Sequence, residues 1–345
     1  MTIFRPALCG MVLAVCIPVM AQADAISDFY KGKKVNMYVG YSPGGGYDTY
    51  ARLLARFYGN HIPGNPAIIV QNMPGAGSAR MVNWLYNVAP KDGTALGAPA
   101  RGVAFDTLFE QPGSKFDSQK LSWIGSMNNE VSVCVSWHTS DVKTFGDMYK
   151  KELIVGGTGG SADTDQFPKL LNGVLGTKFK IIAGYRGGNG VNLAMERGEV
   201  KGRCGWSWSS VVSTRAKWLS EKKINVLVQL SLTKHADLKD VPLITEIAKT
   251  DEEKKIMKLV FARQVLGRPI IGPPQIPAER LTALRKAFLE TIKDKAFKAE
   301  ADRAKMETEA VSGEDVSKLI AEAYQTPKAT VKKVADLLVV QKKKK

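Results

Sequence analysis

The sequence has very few residues of the types that usually hold metal ions. It contains 3 histidines and 4 cysteines among 345 residues. His61, His138 and His235 lie far apart in the chain, and none has a second histidine or a cysteine pair at metal-ligand spacing. This scarcity argues against a metal centre and against catalysis by a metal-activated water. We therefore expect neither a metal nor another cofactor.

The sequence also lacks a long apolar run beyond its N-terminus. Residues 6–20 form a short apolar stretch that follows Arg5 and precedes the small-residue pattern Ala21-Gln22-Ala23. This order is typical of a cleavable secretory signal peptide, and it predicts that residues 1–23 are removed and that the protein functions in the periplasm. An uncleaved anchor helix is the alternative, although a membrane span usually needs about 20 apolar residues.

Acidic residues are scarce relative to basic ones. The chain has 33 of the former and 49 of the latter, which gives a formal net charge of +16. The basic residues are scattered, the only dense run is the tail at 342–345, and no nucleic-acid-binding motif accompanies them. The charge therefore favours small anionic ligands over nucleic acid, because a positive field raises the rate at which anions arrive.

Only two cysteines remain after the predicted signal peptide, Cys134 and Cys204. In an oxidising compartment two such residues can form a disulfide. Their spacing in the sequence does not give their distance in space. A disulfide and two buried free thiols are therefore equal alternatives.

Strand-like runs alternate with helical patterns along most of the chain. We expect strands at residues 35–40, 67–70, 95–98, 132–136, 153–156, 180–183, 201–204 and 225–230, with helices at 48–59, 78–88, 164–175 and 190–197. From residue 251 onward the helical pattern dominates, and Ser312 is an expected N-cap with Asp315 in the capping-box position. Such alternation predicts βαβ units, in which helices cover parallel strands.

The alternating pattern restarts after residue 123, which indicates two α/β lobes. We expect each lobe to contain a mainly parallel sheet flanked by helices, followed by a mostly helical C-terminal section. Lobe 1 would comprise residues 24–126 and 232–341, lobe 2 residues 127–231, and residues 342–345 would form a basic tail. The chain would cross between the lobes near residues 125–129 and 230–234, which is where a hinge is expected.

Four glycine-rich turns follow predicted strands, at residues 42–47, 74–78, 156–161 and 185–190. In parallel α/β sheets such turns lie at the carboxyl ends of the strands, where ligands bind. Glycine lets backbone N–H groups converge on an anion, and the following helix adds the positive end of its dipole. Ser78, Thr158 and Ser161 supply hydroxyl donors. A single turn of this kind needs no ligand, but four in two lobes favour a carboxylate site.

Two larger side chains are candidates for the same site. Arg186 lies in the fourth turn and can bind a carboxylate through two parallel hydrogen bonds, or pair with an acidic residue at the rim. Trp206 follows a predicted strand, so it either lines the cleft or belongs to the core.

An enzyme is the competing interpretation. Residues 40–44 (Gly-Tyr-Ser-Pro-Gly) match the G-x-S-x-G nucleophile elbow of hydrolases. The residue after the nucleophile must donate its N–H to the oxyanion hole, and Pro43 has none. The turn at 157–162 fits a dinucleotide fingerprint, but no acidic residue for a ribose stands about 20 residues further on. We expect no catalytic residue, with a secreted hydrolase that uses Ser42 as a distant alternative.

Three of these segments form a fairly specific combination: residues 39–48 (VGYSPGGGYD), 72–78 (NMPGAGS) and 89–93 (APKDG). Together they resemble the Bug, or TctC, substrate-binding proteins, which are the periplasmic receptors of tripartite tricarboxylate transporters. The resemblance continues at residues 155–162, 183–188, 199–207 and 272–277, and it spans nearly all of the chain after the predicted signal peptide.

The resemblance implies a two-lobed periplasmic-binding-protein fold, or Venus flytrap, that closes over a small organic acid and delivers it to membrane permease subunits. It also implies a monomer without enzymatic activity. Position by position, and with the strand-end residues added, the predicted ligand contacts are Tyr41, Ser42, Gly45, Gly46, Tyr47, Ala76, Gly77, Ser78, Thr158, Gly159, Gly160, Ser161, Tyr185, Arg186, Gly187 and Trp206. A periplasmic sensor subunit for a membrane signalling protein is an alternative that the sequence leaves open.

The chain departs from the family pattern at residues 201–207. Many members carry acidic residues there, whereas this chain has Lys201, Arg203 and Trp206. Because this segment shapes one half of the pocket, the resemblance does not identify the acid, which could be a mono-, di- or tricarboxylate or an aromatic acid.

Overall fold

A computed structural model describes residues 19–338 of the chain. Most of the predicted signal peptide and the basic tail at 342–345 lie outside the described residues. The first helix, α1 (Val19–Tyr30), includes the predicted cleavage position after residue 23. No helix within residues 19–338 combines the length and the apolar character that a membrane crossing requires.

Helices and strands alternate through the first two thirds of the chain. The strands are β1 Lys34–Val39, β2 Ala67–Asn72, β3 Ala95–Ala98, β4 Ser122–Ser126, β5 Ser132–Trp137, β6 Leu153–Gly156, β7 Phe179–Ile182, β8 Gly202–Ser207, β9 Ile224–Leu230, β10 Pro269–Gly272 and β11 Val311–Ser312. The helices after α1 are α2 Gly46–His61, α3 Ala79–Asn87, α4 Asp163–Leu175, α5 Gly188–Glu196, α6 Trp208–Ser220, α7 Ile244–Ile247, α8 Asp251–Phe261, α9 Ala278–Lys293, α10 Lys295–Arg303, α11 Gly313–Tyr324 and α12 Lys328–Leu338.

The first sheet has six strands in the order β11-β4-β10-β3-β1-β2. Strand β1 pairs in parallel with β2 and β3, as consecutive βαβ units require. Strand β10 runs antiparallel to both β3 and β4, and β11 runs antiparallel to β4. The prediction of a mainly parallel sheet is therefore correct only for β1 to β3. Strands β4, β10 and β11, which pair with one another, were not predicted as strands from the sequence.

The second sheet has five strands in the order β7-β6-β8-β5-β9. Strand β6 pairs in parallel with β7 and β8, whereas β5 runs antiparallel to β8 and β9. Parallel pairing is again confined to the strands that helices connect. The predicted fold class of two α/β lobes is confirmed, with mixed rather than mainly parallel sheets. We refer to the part built on the six-stranded sheet as lobe 1 and to the other as lobe 2.

The chain passes between the two sheets after β4 and again between β9 and β10. The two crossing segments are joined by backbone hydrogen bonds. Met127 N–H donates to Arg268 O at 3.0 Å, and Gly267 N–H donates to Asn128 O at 2.9 Å. This pairing places both crossings side by side, which is the arrangement of a two-stranded hinge. The predicted lobe boundaries stay a prediction.

The C-terminal helix α12 contacts both lobes. It packs against α8 and also against α4 of lobe 2. Lys169 Nζ on α4 donates to Leu338 O at 3.2 Å. The sequence interpretation places residues 328–338 in lobe 1. In the structure, α12 lies against both α8 and α4, so it also contacts lobe 2.

Behind the second sheet lies a cluster of buried tryptophans. The ring centroids of Trp137 and Trp218 are 4.7 Å apart, and those of Trp206 and Trp218 are 5.9 Å apart. Trp206 is only 1% exposed, so its indole belongs to this core cluster even though it also borders the cavity described below.

Cys134 on β5 and Cys204 on the neighbouring strand β8 form a disulfide, and both are fully buried. The sequence leaves open either a disulfide or two buried free thiols, and the structure contains the disulfide. The bond joins residues separated by 70 positions, and so it links the start of lobe 2 to the strand that borders the cavity.

We expect a Cys134→Ala/Cys204→Ala variant to be less stable than the oxidised protein by about 2–5 kcal/mol, because the cross-link restricts the unfolded chain. Urea unfolding of the two proteins measures the difference. Adding a reductant should destabilise the wild type by a similar amount and leave the double variant unchanged. Equal stability of the oxidised wild type and the variant would contradict the prediction.

Candidate functional site

A small cavity lies between the two lobes, at the carboxyl ends of β1, β6 and β8. Its volume is about 40 Å³, which is room for a few water-sized groups. The wall consists of Tyr41, Gly45, Gly46, Tyr47, Arg101, Thr158, Ala162, Asp163, Thr164, Gly188, Arg203, Gly205, Trp206, Ser207 and Ser210. An organic acid of several carbon atoms needs more space, so the lobes or their side chains must move to admit one.

Four helices begin at this cavity. Gly46 is the first residue of α2, Asp163 of α4 and Gly188 of α5, while Ser207 directly precedes α6. The first N–H groups of a helix have no acceptor within the helix, and they carry the positive end of its dipole. Four such ends give the cavity wall a positive electrostatic character.

Arg101 is buried in the cavity wall and connects the two lobes. It follows β3 of lobe 1, and its guanidinium donates to Ser207 Oγ of lobe 2 and to Gln264 Oε1, the latter at 2.6 Å. Its Nε lies 3.2 Å from Asp163 Oδ2 and 3.2 Å from Tyr47 OH. Arg101 therefore already has an anionic partner within the protein.

Asp163 is the one carboxylate that the described residues contribute to the cavity wall. Two guanidinium groups approach it, with Arg101 Nε at 3.2 Å and Arg263 Nη1 at 3.5 Å. Burial raises the pKa of Asp163, and the charges of Arg101 and Arg263 act in the opposite direction. The two cations thus share one internal anion.

Arg203 on β8 is the second cation in the cavity wall, and it is only 9% exposed. Its Nη1 donates to Gly188 O at 3.2 Å and to Asn192 Oδ1 at 3.0 Å, while its Nε has no hydrogen-bond partner. Burial, together with the charges of Arg215 and Arg268, lowers the pKa of Arg203 to about 9, which leaves it charged at neutral pH. Within the described part of the chain, no carboxylate lies within 4.0 Å of it.

An irregularity in strand β8 directs Arg203 toward the cavity. Val133 of β5 pairs with Trp206, and Val135 pairs with Arg203, so a single residue of β5 faces two residues of β8. One of those two is Gly205, whose φ is +71°. The extra residue of such a bulge brings positions three apart onto one face, so Arg203 and Trp206 both border the cavity. Their groups lie close together, with the guanidinium carbon 4.5 Å from the indole centroid.

The predicted glycine-rich turns meet each other across the lobes, at the edge of the cavity. Ser42 N–H donates to Arg186 O at 3.1 Å. Gly77 N–H donates to Thr158 O at 3.0 Å. These backbone hydrogen bonds join turns of lobe 1 directly to turns of lobe 2, so the structure represents a closed arrangement of the lobes.

The structure brings part of the predicted contact set to the cavity. Tyr41, Gly45, Gly46, Tyr47, Thr158 and Trp206 line it. The remaining members, Ser42, Ala76, Gly77, Ser78, Gly159, Gly160, Ser161, Tyr185, Arg186 and Gly187, lie in the surrounding turns outside the wall. Their assignment as ligand contacts stays a prediction.

Two hydroxyl groups that were expected to face a ligand have partners within the protein. Ser78 Oγ accepts from Ala100 N–H at 2.9 Å and donates to Gly40 O at 3.3 Å, so it joins the ends of neighbouring strands. Ser161 Oγ donates to Asp106 Oδ2 of the other lobe at 2.5 Å. Burial raises the pKa of Asp106 to about 6 against the opposing effect of this hydrogen bond.

The cations of the cavity differ from the predicted one. The side chain of Arg186 is exposed, and only its backbone carbonyl takes part in the contact between the lobes. Arg101 and Arg203 line the cavity instead. Arg101 could have been recognised, because it follows β3 just as the glycine-rich turns follow their strands. Arg203 was noted from the sequence only as a departure from the family pattern, since simple alternation along β8 does not reveal the bulge that turns it toward the cavity.

The hydrolase alternative finds no support at Ser42. Of the described histidines, His61 Nε2 lies 3.1 Å from Asp294 Oδ2, and His235 Nε2 lies 2.9 Å from Glu307 Oε1. Neither of these, nor His138, is hydrogen-bonded to the Ser42 hydroxyl within residues 19–338, and a nucleophile would require such a bond. Within residues 19–338, no group of three or more His, Cys, Asp or Glu side chains is arranged to hold a metal ion.

Comparisons with known proteins add information on the fold. No family model and no curated protein matches the chain. Among solved structures, the periplasmic binding protein BugD has a TM-score of 0.70 and 17% sequence identity, with coverage of 89% of this chain and 97% of BugD. An R. palustris protein solved with adipate has a TM-score of 0.69 and 15% identity, with coverage of 89% and 97%. MatC from Rhodopseudomonas palustris with bound malate has a TM-score of 0.67 and 16% identity, with coverage of 88% and 99%.

These likenesses extend over nearly the whole length of each compared protein. The chain therefore has the two-lobed fold of periplasmic solute-binding proteins. More narrowly, it has the fold of the Bug and TctC type, which the sequence motifs predicted.

Proposed function

We propose that this protein is an extracytoplasmic solute receptor that binds a small organic acid between its lobes and delivers it to membrane permease subunits. The observation that carries the proposal is the cavity between the lobes, where four helices begin and Arg203 has no acidic partner among residues 19–338. Such a site has the electrostatic character that a carboxylate requires. The described residues that line the cavity include no histidine or cysteine to pair with a nucleophilic hydroxyl, so binding without chemical change suits the site best.

The surroundings of the cavity are consistent with this role. The formal net charge of +16 attracts anions toward the cleft. The paired crossing segments can act as a hinge, through which solute binding would be coupled to closure of the lobes. The N-terminal pattern of residues 1–23 suggests export to the periplasm, where such receptors act.

We expect purified protein to be stabilised by at least one of malate, citrate, adipate or hexanoate in a thermal-shift experiment. A ligand at 100 times its dissociation constant stabilises a protein by about 2.7 kcal/mol. The control is 1,6-hexanediamine, which has the carbon count of adipate and the opposite charge, and which should cause no shift. No response to any of the acids, or an equal response to the diamine, would contradict a carboxylate receptor.

Solute binding should also make the protein more compact. The cavity is small in the closed arrangement, so we expect the unliganded protein to spend much of its time open. Small-angle X-ray scattering should then show a smaller radius of gyration when an acid from the screen is saturating. An unchanged radius for a saturated protein would argue against closure at the hinge.

A further inference from the structure

Arg203 differs from the other deeply buried arginines around the cavity. Arg101 and Arg263 both approach Asp163, and Arg268 Nη2 lies 3.1 Å from Glu130 Oε2. Arg203 has no acidic partner among the described residues, although it is only 9% exposed. A buried cation without an anion is costly, so the molecule would gain from an anion supplied from outside.

The guanidinium of Arg203 is held in a defined orientation. Its Nη1 is occupied by Gly188 O and Asn192 Oδ1, and its plane lies near the Trp206 ring. Neither Nε nor Nη2 donates to a described residue. These two nitrogens form the edge of a guanidinium that can grip both oxygens of one carboxylate in parallel.

The net charge of the cavity wall indicates how many anionic groups of a solute the cavity can bind. Arg101 and Arg203 contribute two positive charges, and Asp163 contributes one negative charge. Each of the four helix starts adds roughly half a positive charge, so the wall carries roughly three positive charges in total. One carboxylate leaves most of this charge unbalanced, whereas two balance the larger part of it.

We propose that Arg203 binds a second carboxylate of the solute, so that the cavity selects dicarboxylates over monocarboxylates of the same length. This inference rests on the proposed function, which places a first carboxylate at the helix starts. Arg203 is then a residue that determines specificity, aimed at the solute by the bulge at Gly205. On this proposal, the difference between residues 201–207 and the family pattern determines which solute the protein binds.

Isothermal titration with matched acids tests the inference. The pairs are adipate with hexanoate and succinate with butyrate. For the wild type we expect at least one diacid to bind more tightly than its matched monoacid. In Arg203→Gln, affinity for that diacid should fall by about 10- to 150-fold, with little change for the monoacid. Arg197→Gln is the control, because it removes an exposed arginine of lobe 2 that lies outside the cavity wall, and it should bind both acids like the wild type.

A stability measurement separates recognition from a structural role. Without a solute, Arg203→Met should unfold at the same temperature as the wild type or above it, since it removes a buried charge that lacks a partner. The same variant should lose the preference for diacids. A variant that is strongly destabilised without solute would show that Arg203 supports the fold, and would contradict the inference.

The remaining outcomes distinguish the two proposals. Wild-type protein that binds monoacids as tightly as diacids, or an Arg203→Gln variant that weakens both equally, would overturn the role of Arg203 and leave the receptor function intact. Failure of every acid to bind the wild type would overturn both.

Discussion

Replacing Glu130 by alanine is expected to destabilise the protein by about 3–5 kcal/mol, since Arg268 would be left buried without its partner. The two side chains are buried, and Arg268 Nη2 lies 3.1 Å from Glu130 Oε2. Glu130 also accepts hydrogen bonds from Ser209 Oγ at 2.5 Å and from Asn128 Nδ2 at 3.2 Å. Because Glu130 and Arg268 lie on the two paired crossing segments, their ion pair joins both halves of the hinge.

Urea unfolding measures this effect, and an exposed ion pair provides the control. Lys332 and Asp336 lie 2.8 Å apart one helical turn from each other, with both side chains at least half exposed. Asp336→Ala should therefore cost no more than about 0.5 kcal/mol. The double variant Glu130→Ala/Arg268→Met should recover part of the stability, because it removes the buried charge as well. If the free energy of unfolding of Glu130→Ala lies within about 1 kcal/mol of the wild-type value, the ion pair does not stabilise the contact between the two crossing segments.

The second large effect is expected at Gly159, where alanine should weaken solute binding by roughly 5- to 150-fold. Gly159 has a φ of +128°, which only glycine adopts without strain. A Cβ at this position would also overlap with Gly77 N and would come within 2.5 Å of the Ala76 carbonyl carbon. Both atoms belong to the backbone of lobe 1 and cannot turn aside. The variant should consequently keep the lobes apart and prevent the decrease in radius of gyration that is expected when solute binds.

Gly160 is the matched control in the same turn. Its φ lies outside the left-handed region, and the nearest atom to an added Cβ is Gln111 Oε1 at 3.7 Å. Gly160→Ala should therefore bind and close like the wild type. If Gly159→Ala and Gly160→Ala behave alike, closure does not depend on the approach of Gly159 to the turn of lobe 1.

Gly45 and Gly46 show why glycine-rich turns cannot be treated as uniform. Gly45 has a φ of −90°, and an added Cβ would come no closer than 3.7 Å to another residue. Gly46, the first residue of α2, lies directly against Ser210 and has no room for a side chain. From the sequence, both belong to one run of three glycines. They differ because the packing of α2 against the start of α6 leaves room for a side chain at Gly45 but none at Gly46.

Local patterns predicted eight of the strands, including β5 and β9, which pair with each other although they lie far apart in the chain. Strands β1 to β3 and β6 to β8 belong to βαβ units, and their positions agree with the sequence interpretation to within a few residues. Strands β4, β10 and β11 were not predicted as strands. Strand β4 pairs with β10 and β11, which lie more than 140 residues further along the chain. Such short strands show little alternation of apolar and polar residues, and pairing with distant partners does not add to that local pattern.

The sequence by itself determined the βαβ order, the two lobes and the places where glycine-rich turns follow strands, because these depend on local spacing and on residue chemistry. It also contained the motifs that resemble the Bug and TctC proteins. Only the tertiary structure decided which groups of the two lobes face each other. The approach of Arg101 to Asp163 and the bulge that turns Arg203 toward the cavity both depend on contacts between segments far apart in the chain. A buried charge is conspicuous only once its surroundings are known, and so the unpaired guanidinium of Arg203 could not be seen in the sequence.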